Sequence, residues 1–120
     1  MKIYTVRVND NGDTFWYKEG RFHREDGPAC EYANGAKSWY KEDKYHRENG
    51  PAIEYANGDK SWYKEGERHR EDGPACEWKE GVKYWYINGK QLTEEEFNNR
   101  NTYSGKIVET EGKKYRLQEV

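Results

Sequence analysis

The stretch WYKEGRFHREDGPACEYANGAKS at residues 16–38 returns as WYKEDKYHRENGPAIEYANGDKS at 39–61 and as WYKEGERHREDGPACEWKEGVKY at 62–84. Trp85-Tyr86 opens a fourth copy that then departs from the pattern. A fixed period of this size marks an array in which each unit buries its apolar side only by stacking on its neighbours. Such arrays present a surface more often than they enclose a reaction centre. Each copy carries two turns. Asn34-Gly35, Asn57-Gly58 and Glu80-Gly81 read as two-residue hairpin loops, because a type I′ turn needs positive φ at both central positions. A second turn falls at Glu19-Gly20, Glu42-Asp43 and Glu65-Gly66. Two turns per copy predict two strands per copy, and hence an antiparallel β-hairpin meander.

With two-residue loops the register can be written out. Tyr32 pairs with Lys37, Glu31 with Ser38, Cys30 with Trp39, Tyr40 with Tyr45 and Trp39 with His46. Alternation then places Cys30, Tyr32, Lys37, Trp39 and His46 on one face, and Ala29, Glu31, Ser38, Tyr40 and Tyr45 on the other. The linking segments 23–29, 46–52 and 69–75 contain Gly-Pro, which bends the chain and removes a donor, so Pro28, Pro51 and Pro74 should sit where a strand begins. The whole chain of 120 residues reads as one domain. Residues 1–15 form a capping hairpin around Asn11-Gly12, and residues 16–92 the repeats. Residues 93–101 form a short helix opened by the capping box Thr93-Glu94-Glu95-Glu96 and anchored by Phe97. Residues 102–120 form a last hairpin around Glu111-Gly112.

Leu, Ile, Val and Phe supply only 14 of 120 residues and 37% are charged, a balance that alone would suggest disorder. Formal net charge is only −2, however, and aromatic residues make up 16%. Each large ring removes roughly 150–250 Å² from water, so a folded sheet packed by rings is expected. No apolar run approaches the roughly 18 residues of a membrane span. The first residues lack the apolar centre of a secretory signal, and two cysteines are too few for a disulfide scaffold. The cytoplasm is the expected location.

The 23-residue unit resembles the MORN-repeat family, on its period, on a turn Gly followed three residues later by His (Gly20/His23, Gly66/His69) and on its Asn-Gly. HREDGPA at 23–29 and 69–75, with HRENGPA at 46–52, is similar to the divergent repeats of bacteria, bacteriophages and large DNA viruses. The likeness spans residues 11–92 and lacks the Tyr-x-Gly strand of ordinary MORN repeats. It implies a mainly β, MORN-like hairpin sheet used for binding or scaffolding, with no chemistry of its own.

Candidate chemistry is sparse. His23, His46 and His69 fall one unit apart, roughly 9.6 Å at two strands of ~4.8 Å, too far to share a metal. Each is expected to pack beside its Trp and bond a loop carbonyl or a carboxylate. Cys30 and Cys76 alternate with Ile53 and should be buried, about four strands (~19 Å) apart and outside disulfide reach. The trio Arg24-Glu25-Asp26 and its copies read as a charge ladder between adjacent loops, because three copies of one exposed trio make a poor desolvated centre. No catalytic, metal or cofactor site is expected. The columns Lys37/Lys60/Lys83 and Arg24/Arg47/Arg70 could track nucleic acid, but glutamates interleave with them.

The column Tyr17, Tyr40, Tyr63 and Tyr86, flanked by Phe22, Tyr45 and Arg68, is the candidate contact surface, since Tyr and Arg anchor interfaces. The alternative is that a thin sheet needs rings on both sides for its own stability, or that the terminal helix covers part of the stripe. The reading is a non-enzymatic binding protein with a macromolecular partner, foremost another protein. If the viral resemblance holds, that partner is a host factor such as a component of a bacterial defence system, CRISPR effectors included. A nucleic-acid or nucleotide-ligand module, and self-assembly through open sheet edges, are the alternatives.

Overall fold

The computed structural model describes residues 3–103, 107–110 and 112–116. Parts of both predicted terminal hairpins (residues 1–2, 104–106, 111 and 117–120) lie outside them. The fold is mainly β, an antiparallel meander with one short helix near its C-terminal end. Its main sheet runs in the order Tyr4–Val8, Thr14–Lys18, Cys30–Glu31, Lys37–Ser38, Ile53–Glu54, Lys60–Ser61, Cys76–Glu77, Lys83–Ile87 and Lys90–Leu92. Order in space follows order in sequence, as stacked units require. The thinnest principal extent is 18 Å against 68 Å for the longest, so the sheet has no second layer of its own size.

Beside the main sheet runs a row of tight hairpins. Tyr40–Lys41 pairs with Lys44–Tyr45, Tyr63–Lys64 pairs with Glu67–Arg68, and Arg21–Phe22 folds back on the end of Thr14–Lys18. Each unit therefore holds four short strands rather than two long ones, because the predicted strands break at Trp39 and Trp62. Before the Trp, the chain pairs within the main sheet; after it, the chain pairs across its own tight turn. The Trp39 N–H still donates to the Ala52 carbonyl at 2.7 Å, and the His46 N–H to the Trp39 carbonyl at 3.0 Å, so the rows stay joined.

The tight turns, and not the Asn-Gly loops to which the sequence pattern assigns type I′, are type I′, with φ of 51° at Glu65 and 84° at Gly66, and of 49° and 80° at Asn88-Gly89. At Glu42-Asp43 neither residue is glycine, yet both have positive φ. The Asp43 carboxylate compensates by accepting the Phe22 N–H at 2.7 Å. The Asn-Gly turns differ from expectation. Gly35 alone has positive φ there, its N–H donates to the Tyr32 carbonyl, and the Tyr32 N–H donates to the Ala36 carbonyl. Ala33-Asn34-Gly35 is thus a three-residue loop, a type I turn closed by a left-handed glycine. The Asn34 side chain holds it by accepting the Ala36 N–H at 3.0 Å.

One extra loop residue slips the register by one. Cys30 lies opposite Ser38, not Trp39, and Glu31 opposite Lys37, not Ser38. Because side chains alternate, the slip exchanges faces. Cys30 and Tyr32 belong with the Tyr40 row, and Glu31 belongs with Lys37 and Trp39. The copies at 53–61 and 76–84 repeat the corrected pairing.

The helix spans Glu94–Tyr103, two residues beyond its predicted end. Thr93 and Glu96 close a reciprocal capping box at 3.0 and 3.1 Å, Phe97 is buried, and an Arg100 N–H donates to the Glu71 carbonyl at 3.4 Å. The Thr93 N–H bonded to it holds the Glu96 carboxyl below its usual range. Ile107–Thr110 pairs with Lys113–Arg116 as the final hairpin.

Candidate interaction surface

On one face the charged groups are engaged within the sheet. Arg24, Arg47 and Arg70 place their guanidinium carbons 3.9, 3.8 and 4.0 Å from the ring centroids of Trp16, Trp39 and Trp62. Each donates through Nη1 to the carbonyl of Pro28, Pro51 or Pro74, and also to the carboxylate of Glu31, Glu54 or Glu77 at 2.8, 3.0 and 3.1 Å. Lys37 and Lys60 alternate with those glutamates along the sheet. These arginine side-chain bonds therefore stay within their own unit rather than stitching neighbouring loops as expected, while the backbone N–H of Arg24, Arg47 and Arg70 donates to the Tyr40, Tyr63 and Tyr86 carbonyls of the next.

The histidines do the stitching. Nδ1 of His23, His46 and His69 accepts the backbone N–H of Glu42, Glu65 and Asn88, each at the tight turn of the following unit. Nε2 faces a carboxylate, at 2.7 Å for His46 and Glu48, and that bond holds the Glu48 carboxyl below its usual range. The partner on Nδ1 is thus a turn amide rather than the expected loop carbonyl. Two equivalent grooves, of about 530 and 580 Å³, separate successive loops on this side, and Arg47 and Glu48 line both.

The other face carries the candidate residues, and the structure brings all seven together. Ring centroids run Tyr17 to Phe22 at 4.9 Å, Phe22 to Tyr40 at 5.1 Å, Tyr40 to Tyr45 at 4.5 Å and Tyr45 to Tyr63 at 5.0 Å. Arg68 continues the row. Its guanidinium carbon lies 6.0 Å from the Tyr63 centroid and 5.3 Å from that of Tyr86, and it donates to both phenol oxygens, at 3.2 and 3.4 Å. At the other end Arg7 lies over Tyr17 at 5.6 Å. Every member from Tyr17 to Tyr86 is half-buried. Burial raises the Tyr40 phenol pKa, and the bond to the Tyr63 hydroxyl keeps Arg68 all the more firmly protonated. Among the described residues Arg68 is held by phenol oxygens and by no carboxylate.

The register slip adds a second row that the sequence reading assigned elsewhere. Phe15 meets Tyr32 edge-on at 5.9 Å, and Trp78 meets Tyr55 and Tyr84 at 6.4 Å each. Tyr32, Tyr55 and Tyr84 are exposed, at 37%, 42% and 39%. Between the rows lies a floor of small buried side chains, with Cys30, Ser38, Ser61 and Cys76 at 1%, 6%, 0% and 1% exposure. Burial pushes the Cys30 thiol up to about 11 and raises that of Cys76. A one-residue longer loop at Asn-Gly was the signal that would have placed Tyr32 and Tyr55 here. The arrangement can offer stacking surface and a cation lacking a carboxylate partner; the rings that offer it also roof the floor. No protein-family model, no curated protein and no solved structure matches this chain.

Proposed function

We propose that the protein is a non-enzymatic binding module whose two aromatic rows form the contact surface for a protein partner. The observation that carries this reading is the unbroken row of rings from Tyr17 to Tyr63 at centroid spacings of 4.5–5.1 Å, continued by Arg68, on a face that is otherwise floored by small side chains. Rigid rings contribute large contact area with few torsions to freeze, which is why Tyr and Arg recur as anchors of interfaces. Among the described residues Arg68 has no carboxylate against it, so a carboxylate on the partner would complete its pairing. The opposite face supports the choice by contrast, because its arginines are already engaged by indoles and carboxylates of their own units. The likeness of HREDGPA to phage and viral repeats favours a host protein as partner, a defence component included.

The test is affinity capture from bacterial lysate with identification by mass spectrometry, at low and high salt. A partner retained at high salt and lost on Tyr63→Ala with Arg68→Ala is expected, with the far-ultraviolet circular dichroism of the variant unchanged. Capture that depends instead on Lys37 and Lys60, or bound nucleic acid that elutes steeply with salt, would refute the reading.

A further inference from the structure

The N-terminal edge of the main sheet carries a more specific conclusion. Tyr4–Val8 pairs with Thr14–Lys18 on one side, in the register Tyr4 with Lys18, Val6 with Trp16 and Val8 with Thr14. The Trp16 N–H is turned away from this strand, to the Ala29 carbonyl at 2.7 Å, and the Trp16 carbonyl accepts from His23. One hairpin step further, Asn9 and Asp13 do exchange a backbone bond, at 3.0 Å. Bonded and non-bonded pairs alternate along an antiparallel ladder. Arg7 with Phe15 and Thr5 with Tyr17 are therefore the bonded pairs. Tyr4, Val6 and Val8 all direct their N–H and C=O outward, to a side where no described strand stands.

Six backbone groups in a row are thus offered to a further strand. The strand has no Pro, no bulge and no Lys, and its one charge, Arg7, lies over Tyr17. Val6 is 46% exposed and Val8 66%. The opposite edge, Lys90–Leu92, differs in that the helix Glu94–Tyr103 packs against it.

We propose that this edge is a homodimer interface, in which Tyr4–Val8 of two copies pair antiparallel about a two-fold axis through Val6. The sequence of the strand is complementary to itself in that register and in no neighbouring one. Val6 meets Val6 of the second copy, Tyr4 meets Val8, and Thr5 meets Arg7, so all the outward groups of both strands find partners. Moving the axis to Arg7 would set two guanidinium groups opposite each other, and moving it to Thr5 would leave Val8 outside the ladder. In the Val6 register Tyr4, Val6 and Val8 of both copies cluster on one face of the joined sheet, that of His23, whose ring lies 6.2 Å from Tyr4. The axis runs through the sheet, so both aromatic faces point the same way. Two copies of the proposed contact surface then form one extended platform.

Sedimentation velocity on the full chain, across a concentration range wide enough for mass action to act, tests this. A dimer of twice 14.4 kDa is expected, together with a monomer for Val6→Lys, which opposes two ammonium groups on the axis. Under mild oxidation Val6→Cys should form an inter-chain disulfide. Val8→Cys should not, because its two copies would be about 13 Å apart, beyond the ~7 Å reach of such a bond. The native Cys30 and Cys76 are buried and do not compete. The cysteine pair decides the matter should Val6→Lys fail to fold. Monomer at every concentration, a dimer that survives in folded Val6→Lys, or equal cross-linking of the two cysteine variants would overturn the proposal.

Discussion

Arginine rather than lysine stands at positions 24, 47 and 70 because of its shape. A flat guanidinium can lie on an indole while its edge donates to a carbonyl and a carboxylate, and an ammonium cannot do all three. The same flatness explains the glycine three residues on. A Cβ at Gly50 would lie 3.0 Å from the Arg47 guanidinium carbon, and at Gly27 and Gly73 the distance to Arg24 and Arg70 would be 2.9 Å. The backbone of the Gly-Pro step thus closes a slot whose other wall is Trp. Gly50→Ala should push Arg47 off Trp39 and lower stability by about 1–2 kcal/mol, the range of a desolvated cation–π contact plus a charged hydrogen bond. Arg47→Ala should cost about 1–3 kcal/mol by the same reasoning. The decisive reading is their coupling in urea denaturation: with Arg47→Ala in place, Gly50→Ala should cost close to nothing. Additive losses would mean that the glycine serves the backbone alone.

The turns of successive units are linked by side chains, and the links are not identical. Asp13 accepts the Ala33 N–H at 2.7 Å and Asp59 accepts the Lys79 N–H at 2.7 Å, in both cases 20 residues on. The Asp13 carboxyl is held below its usual range by that bond. The equivalent position in the first full unit is Ala36, which has nothing to offer the Ala56 N–H. Ala36→Asp should supply the missing link and raise stability by about 0.5–1.5 kcal/mol, seen as a higher midpoint in thermal melts at neutral pH. The gain should vanish as pH falls through the carboxylate range: a lowered folded pKa stabilises above the unfolded value and loses that effect on protonation. This substitution was invisible until the loop length was known. The repeat, the meander, the positions of the second turns and the capping box all followed from local chemistry that a single residue type dictates. The Asn-Gly loop did not, since Asn-Gly serves both a two-residue turn and a three-residue turn ending in a left-handed glycine. Only pairing with the next strand selects between them. That ambiguity moved Tyr32 and Tyr55 to the wrong face while leaving the row from Tyr17 to Tyr86 intact, because that row is built on the Glu-Gly and Glu-Asp turns. The histidine links stayed hidden for a related reason: a bond from an imidazole to a turn amide 19 residues on leaves no mark in composition.

At the scale of the molecule, the side-chain links between units among the described residues span 18 to 21 positions, which is one repeat less a few. Each of these links therefore joins a unit only to its neighbour, and none of them needs a particular number of units. Removing residues 39–61 would join Ser38 to Trp62, a junction that the chain already uses between Ser61 and Trp62. His23 would meet the Glu65 N–H in place of that of Glu42, and Lys37–Ser38 would lie beside Cys76–Glu77 as it now lies beside Ile53–Glu54. Two links have no replacement: Phe22 loses the Asp43 carboxylate and the Lys79 N–H loses Asp59. The shortened chain should still fold cooperatively, with a lower denaturation midpoint and a urea m-value smaller by roughly one-fifth, in proportion to the surface removed. Its aromatic row should close with Phe22 against Tyr63, keeping Arg68 and Tyr86 in place. An aggregated product, or an m-value equal to that of the parent, would mean that the units cooperate over more than one neighbour. The ends rather than the repeats would then set the stability of the sheet.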